Sequence, residues 1–353
     1  MSITAHERPG VYSSYTASAV VSGSVGRKNV ALAAQINDPA RELWTISRYE
    51  DAVAAFGAET AENVTALIRL LLGNGAAQVM VFPVKGSDLA AYKAAFAVME
   101  QAEDIGLAVC DSTLVQVQQA LRDSVHKASA AQRERIAVVA GGADESVAQL
   151  VERAGQINSE RVVLTAPGCV DGQDEARSGI ELAAAVAGAI AGQSDPAVPL
   201  GGAQLNGLYG LNCRYDDSEL DVLIRGGVTA AESVGGVVSV VRGVTTRTTT
   251  NGAADKTWHD LNAVLVVDDV IPAIRNGLKS RFRRAKNTAQ SRGAIRSQVV
   301  LELENKLERE IITGYEQVSV RADGEDPTRC LVEFSFTVTH GINQIWLSAH
   351  ITV

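Results

Sequence analysis

The chain is poor in aromatic residues, 5% of its 353 positions, so its core must be built mainly from Ala, Val, Leu and Ile. It has four cysteines, Cys110, Cys169, Cys213 and Cys330, far apart and without a CxxC pair. That spacing excludes a disulfide framework or a cysteine-rich zinc site and predicts reduced, structural thiols. No apolar run reaches the roughly 18 residues of a membrane helix. Met1–Arg8 lacks the apolar core of a signal peptide, so the sequence predicts neither export by that route nor stable membrane insertion. Basic residues are outnumbered, 32 against 41 acidic, for a net charge of −9. A net charge of that sign argues against a general nucleic-acid binder.

Catalytic constellations are equally scarce. There is no GxSxG elbow and no HExxH. The histidines, His6, His126, His259, His340 and His350, share no helix at metal-ligand spacing. Gly141-Gly142-Ala143-Asp144 follows a strand pattern and opens a helical one, but it lacks the glycine spacing of a nucleotide fingerprint. Gly201-Gly202 and Gly226-Gly227 fit no phosphate loop either. The residues point to no catalytic, metal or cofactor site.

What is present is an ordered set of patterns. The first 25 residues are small and polar and form no core of their own; Arg8-Pro9-Gly10-Val11-Tyr12 reads as extended. From residue 26 to 194, apolar runs at Val30–Ile36, Gln78–Val84, Gly106–Cys110, Ile136–Ala140 and Arg161–Thr165 alternate with helical stretches. These are Arg48–Phe56, Ala61–Leu72, Asp88–Gln101, Leu114–His126, Glu145–Ala154 and Glu175–Ala191. Such alternation predicts βαβ units around a mostly parallel sheet. Residues 195–210, rich in Gly and Pro, read as a linker. In 211–340 the pattern changes. Strands are expected at Val237–Val244 and Leu261–Val267, with an Asn251-Gly252 hairpin turn between them. Asp269 is then the expected N-cap of a helix carrying Val270, Ile274, Leu278 and Phe282, and a second helix carries Ile295, Val299, Leu303, Leu307 and Ile311. Further strands are expected at Gln317–Arg321, Arg329–Thr339 and Asn343–Val353. Cys330, Val332, Phe334, Phe336 and Val338 share one strand face, and Ile345, Leu347, Ala349, Ile351 and Val353 share another. The expected class is therefore α/β and α+β multidomain: an extended N-terminal arm, an α/β domain, and a C-terminal α+β domain of two helices packed on a sheet, ending in a strand arm at 341–353.

Charge is unevenly distributed. Between Ala273 and Gln298 lie eight basic residues and no acidic one. On a helix Arg275, Lys279, Arg283 and Lys286 would line one face. A solvated face is one reading; docking to an acidic partner is the other, since solvated faces usually mix both signs.

The order of these features resembles the tail sheath proteins of contractile phages and R-type bacteriocins. The resemblance runs through Arg8-Pro9-Gly10-Val11-Tyr12, Ala187-Gly188-Ala189-Ile190-Ala191-Gly192 and Arg242-Gly243-Val244-Thr245-Thr246. It continues through Asp269-Val270-Ile271-Pro272-Ala273-Ile274-Arg275, Val332–Thr339 and Ile342-Asn343-Gln344-Ile345. The middle α/β region matches in pattern only. The resemblance implies a structural, non-enzymatic subunit that stacks with itself as hexameric rings around a tail tube, meets baseplate and tail terminator proteins, and contracts. It implies arms that add strands to neighbours, for which Val11, Tyr12, Ile345, Leu347, Ile351 and Val353 are the candidates, and a tube-facing role for the basic set. It also implies synthesis in a bacterial cytoplasm and release in a particle on lysis. A cytosolic α/β enzyme or nucleotide binder with a dimerisation domain is the competing reading; it predicts a small discrete oligomer stabilised by ligand.

Overall fold

The computed structural model describes residues 28–36, 39–60, 63–172 and 175–342. In chain order the body comprises β1 (Asn29–Gln35), β2 (Trp44–Ile46), α1 (Tyr49–Phe56), α2 (Val64–Gly73), β3 (Val79–Val84), α3 (Leu89–Gln101), β4 (Ile105–Cys110), α4 (Val115–Ala130), β5 (Ile136–Ala140), α5 (Val147–Ile157) and β6 (Val162–Ala166). It continues through β7 (Cys169–Val170), α6 (Ile180–Gly192), β8 (Gly210–Leu211), α7 (Asp217–Arg225), β9 (Val228–Val234) and β10 (Val237–Val240). A small hairpin, β11 (Thr249–Thr250) and β12 (Ala253–Ala254), leads to α8 (Leu261–Phe282), α9 (Ala289–Glu308), β13 (Ile312–Ala322) and β14 (Cys330–Val338).

Eight strands form the central sheet in the order β10-β9-β6-β5-β4-β1-β3-β2. It is parallel except for β2 and β10 at its two edges. β1 lies between β3 and β4, with Leu32 level with Val81 and Val109. A parallel sheet covered by helices on both faces needs strands that are apolar throughout, which is why β5 and β6 are buried at every residue. One face packs against α1, α2 and α6, the other against α3, α4, α5 and α7. The small-residue run of α6 has a steric cause. A Cβ at Gly188 would sit 2.6 Å from the Leu71 carbonyl oxygen, so α2 and α6 can approach this closely only with glycine there.

The third core is smaller, and Ala197 from the segment after α6 enters it. Val266, Val270 and Ile274 of α8 meet Val299 and Leu303 of α9, with Ile311 and Ile312 behind them. One face of the antiparallel β13–β14 pair closes it with Val332, Phe334, Phe336 and Val338, as the alternation predicts. The Phe334 and Phe336 rings stack at 6.3 Å. The Asn251-Gly252 turn is present, both residues at positive φ (51° and 81°), as a type I′ hairpin requires.

Several expectations need correction. Leu261–Val267 is not a strand; it is the start of the 22-residue helix α8, which runs on through Pro272. Leu261, Val264 and Leu265 enter the body core while Val266 enters the C-terminal core. A helix start touching two cores is apolar nearly all round, and such a short run is indistinguishable from a buried strand by pattern. Asp269 consequently lies inside α8 instead of capping it. The segment 195–210 is not a free linker: the Gly202 and Leu205 amides bond the Val240 and Val238 carbonyls at 2.7 and 2.8 Å, covering the β10 edge. Since β9 and β10 belong to the central sheet, the body extends past residue 240. Of the expected arms, 1–25 and 341–353, all but residues 341 and 342 lie outside the described residues.

Candidate assembly surfaces

The C-terminal unit meets the body along α8, at the edge where the parallel strands begin. Arg161, directly ahead of β6, forms a two-pronged pair with Asp268 at 2.7 and 2.9 Å. Burial opposes its charge, but the hydrogen bonds and charge of Asp268 carry the guanidinium pKa above its ordinary value. Glu134, ahead of β5, accepts from Arg275 at 2.6 Å. Burial pushes the Glu134 carboxyl up, yet Arg275 holds it below the usual glutamate value. Lys306 of α9 reaches Asp269 at 2.5 Å and ties the two helices together. Lys28, ahead of β1, lies near Asp268 and Asp269, and its burial lowers its pKa in spite of both carboxylates.

This joint changes the reading of the basic set. Arg275 is not on a free surface; it is paired to the body. α8 ends at Phe282, so Arg283 and Lys286 lie in the turn to α9 and continue no helical face. Arg281, Arg292 and Arg296 bond Gln298, Asn287 and the Val318 carbonyl. Lys279, Arg283, Arg284 and Lys286 remain, all exposed and with no side-chain partner among the described residues. The positive charge is therefore concentrated at the tip of the α8–α9 hairpin.

The β13–β14 sheet is a second open surface. Among the described residues no third strand pairs with either outer edge. Along these edges, apart from the Val318 carbonyl held by Arg296, the main-chain groups have no strand partner among the described residues, the kind of edge that strand addition uses. Val11, Tyr12, Ile345, Leu347, Ile351 and Val353 lie outside the described residues.

The remaining candidates resolve into structure. The Gly141–Gly142 turn offers no anion site, because the Gly142 amide donates to Glu145 Oε2 at 3.0 Å. That carboxylate is held in turn by Arg153 Nε at 2.9 Å. One serine, histidine and carboxylate do converge. Ser159 Oγ is 2.8 Å from His126 Nε2, and Nδ1 is 4.0 Å from Glu160. Ser159 is only 1% exposed and Glu160 is engaged by Arg247, so no substrate can reach the hydroxyl. Cys110 and Cys169 are buried, and burial pushes Cys110 up to about 12. Among the described residues no acidic, Cys and His cluster has the make-up of a metal site, and no helix is long and apolar enough to cross a membrane.

Sequence reading did not find Glu134, Arg161 or Asp268. For Glu134 and Arg161 the signal was a charged pair just ahead of an apolar run, at Glu134-Arg135 and Glu160-Arg161; Asp268, inside α8, carried none.

Comparison with known proteins agrees with this architecture. The family model "Phage tail sheath protein central domain" matches residues 83–246, and "Phage tail sheath C-terminal domain" matches residues 253–352. The tail sheath protein of Bacillus phage SP01 is 26% identical over 259 residues, 72% of this chain; the match spans only 44% of that longer relative. The contracted helical sheath of the anti-feeding prophage superposes with a TM-score of 0.73 at 16% identity, over 98% of this chain and 99% of that one. A chain of the six-fold symmetrised baseplate of that system gives 0.72 at 14% identity, over 99% and 100%. With an α/β body and a C-terminal α+β unit matched in order by the two domains of one family, the chain belongs to the phage tail sheath proteins.

Proposed function

We propose that the chain is the structural subunit of a contractile tail sheath, not an enzyme. Copies stack as hexameric rings around a tail tube, meeting baseplate and tail terminator proteins at the ends, and their contraction drives the tube through a target envelope. The subunit is made in a bacterial cytoplasm and leaves in a phage or bacteriocin particle on lysis. The observation that carries this reading is the β13–β14 sheet, complete on its core face and unpaired at both edges among the described residues. Arms at 1–25 and 341–353 from neighbouring copies would add strands there. At about 1 kcal/mol per main-chain hydrogen bond, several such bonds hold a few kcal/mol per arm. The arms stay engaged while the bodies move. The likeness to a chain of a six-fold assembly favours rings of six.

The exposed tip at Lys279, Arg283 and Lys286 is the surface we assign to the tube. Exposed ion pairs are individually weak and suit a contact that must release. Negative-stain electron microscopy at rising protein concentration, with and without a tube protein, tests the reading. Hollow cylinders or stacked rings are the expected result, lost on deleting residues 341–353. Small discrete particles that stay so when tube protein is added would overturn it. Charge reversal of Lys279, Arg283 and Lys286 together should leave self-assembly intact and abolish sheathing of the tube.

A further inference from the structure

α8 presents different chemistry to two neighbours. Val266, Val270 and Ile274 turn to the C-terminal core, while Leu261, Leu265, Asp268 and Arg275 lie along the side facing the body. Along that second side the contact changes character. At its start Leu261 and Leu265 are 0% and 3% exposed within the body core, and the Leu261 amide bonds the Gly243 carbonyl at 3.3 Å. Midway, a cavity of about 230 Å³ opens between α8 and the end of α6, lined by Lys28, Gln193, Leu265 and Asp269 among others. No residue of α8 beyond Leu265 belongs to either apolar core of the body. From there the helix is held to the body through Arg161–Asp268 and, seven residues before its end, Arg275–Glu134. Arg275 lies about 15 Å along the axis from Leu265, at 1.5 Å per residue. Its side chain is 27% exposed, against 7% for Asp268, so the last tie is the one water and salt reach most easily.

A rod fixed by apolar packing at its start and by a solvent-touched ion pair further along is a lever with a latch. We propose that the Glu134–Arg275 pair is that latch. Closed, it holds α8 and the unit it carries against the beginning of the parallel strands. Open, it lets α8 swing about its buried start while the C-terminal core, on the opposite side of the helix, stays packed. The inference stands apart from the assembly reading, since it concerns one isolated chain.

Pulsed electron paramagnetic resonance on the full chain tests it. Nitroxides are placed at the exposed positions Glu103→Cys and Ser280→Cys, with Cys213 and Cys330 changed to Ser and the labelled chain diluted in unlabelled protein. The parent should give one narrow distance. R275E should add a second, longer population of comparable size, and the charge swap E134R/R275E should return the single distance. A cooperative thermal transition in R275E separates an opened joint from a lost fold; should R275E not fold, R275Q carries the same test. An unchanged single distance on loss of the pair, or failure of the swap to restore it, overturns the latch.

Discussion

The body and the C-terminal unit solve the problem of burying strands in opposite ways. In the body, strands β1 and β3 to β6 are sealed between two helical layers, and the sheet edges are capped by the antiparallel β2 and β10, with residues 202–205 over the latter. In the C-terminal unit one face of a two-stranded sheet is covered and both outer edges are unpaired among the described residues. Isolated two-stranded sheets are marginal in water. The first region covers its sheet on both faces and at both edges; the second covers one face and, among the described residues, neither outer edge. The joint between them is apolar at the start of α8, through Leu261, Val264 and Leu265, and ionic further along, through Arg161–Asp268 and Glu134–Arg275.

The sharpest way to break that contrast is at the joint. Asp268→Ala leaves the largely buried Arg161 guanidinium with the Arg135 carbonyl but without its carboxylate partner and should cost about 3–5 kcal/mol, read by chemical denaturation. A cost under about 1 kcal/mol would mean that the ion pairs do not hold the two regions together. Next come the cores. Leu32→Ala and Leu303→Ala each remove a fully buried leucine, for about 2–5 kcal/mol. Leu32→Ala should lower the stability of the whole chain in one transition. Leu303→Ala should split melting into two steps, the C-terminal unit first; a single transition would show that the regions do not unfold separately.

Lys28 gives a smaller, pH-dependent effect. Burial sets its folded pKa below the ordinary lysine value of 10.5. The unfolded chain therefore binds that proton more tightly, and stability from this group rises with pH between the two values. Lys28→Met should abolish that rise and increase Tm at neutral pH. A lower Tm would mean that attraction to Asp268 and Asp269 outweighs burial. Smallest of all, Glu333→Gln breaks the pair with Arg321 on the exposed face of β13–β14, both side chains more than half exposed, and should leave Tm unchanged within error.

How far the fold could be read in advance follows the same divide. Strands β1 and β3 to β6 and the six helices α1 to α6 were legible, because a doubly covered strand is an apolar run and a covering helix has one apolar stripe. β14 was legible for the complementary reason: one covered face gives clean alternation from Val332 to Val338. β2 has only three residues, and β9 turns polar at Glu232 and Ser233 as it leaves the body, so neither stood out. The pairing of 202–205 with β10 runs through main-chain atoms, to which side-chain pattern is blind. The basic set was visible as charge, but Arg275 could not be separated from Lys279 until its partner Glu134, distant in sequence, was in place.

In the proposed function, the β13–β14 edges take up strands from other copies. Hydrogen–deuterium exchange, compared between the dilute chain and the assembled polymer, addresses it most directly. Amides of β13 and β14 should gain strong protection on assembly, while those of β1, β4 and β5, already enclosed, should not change. Assembly with no gain in protection along β13 and β14 would contradict the account.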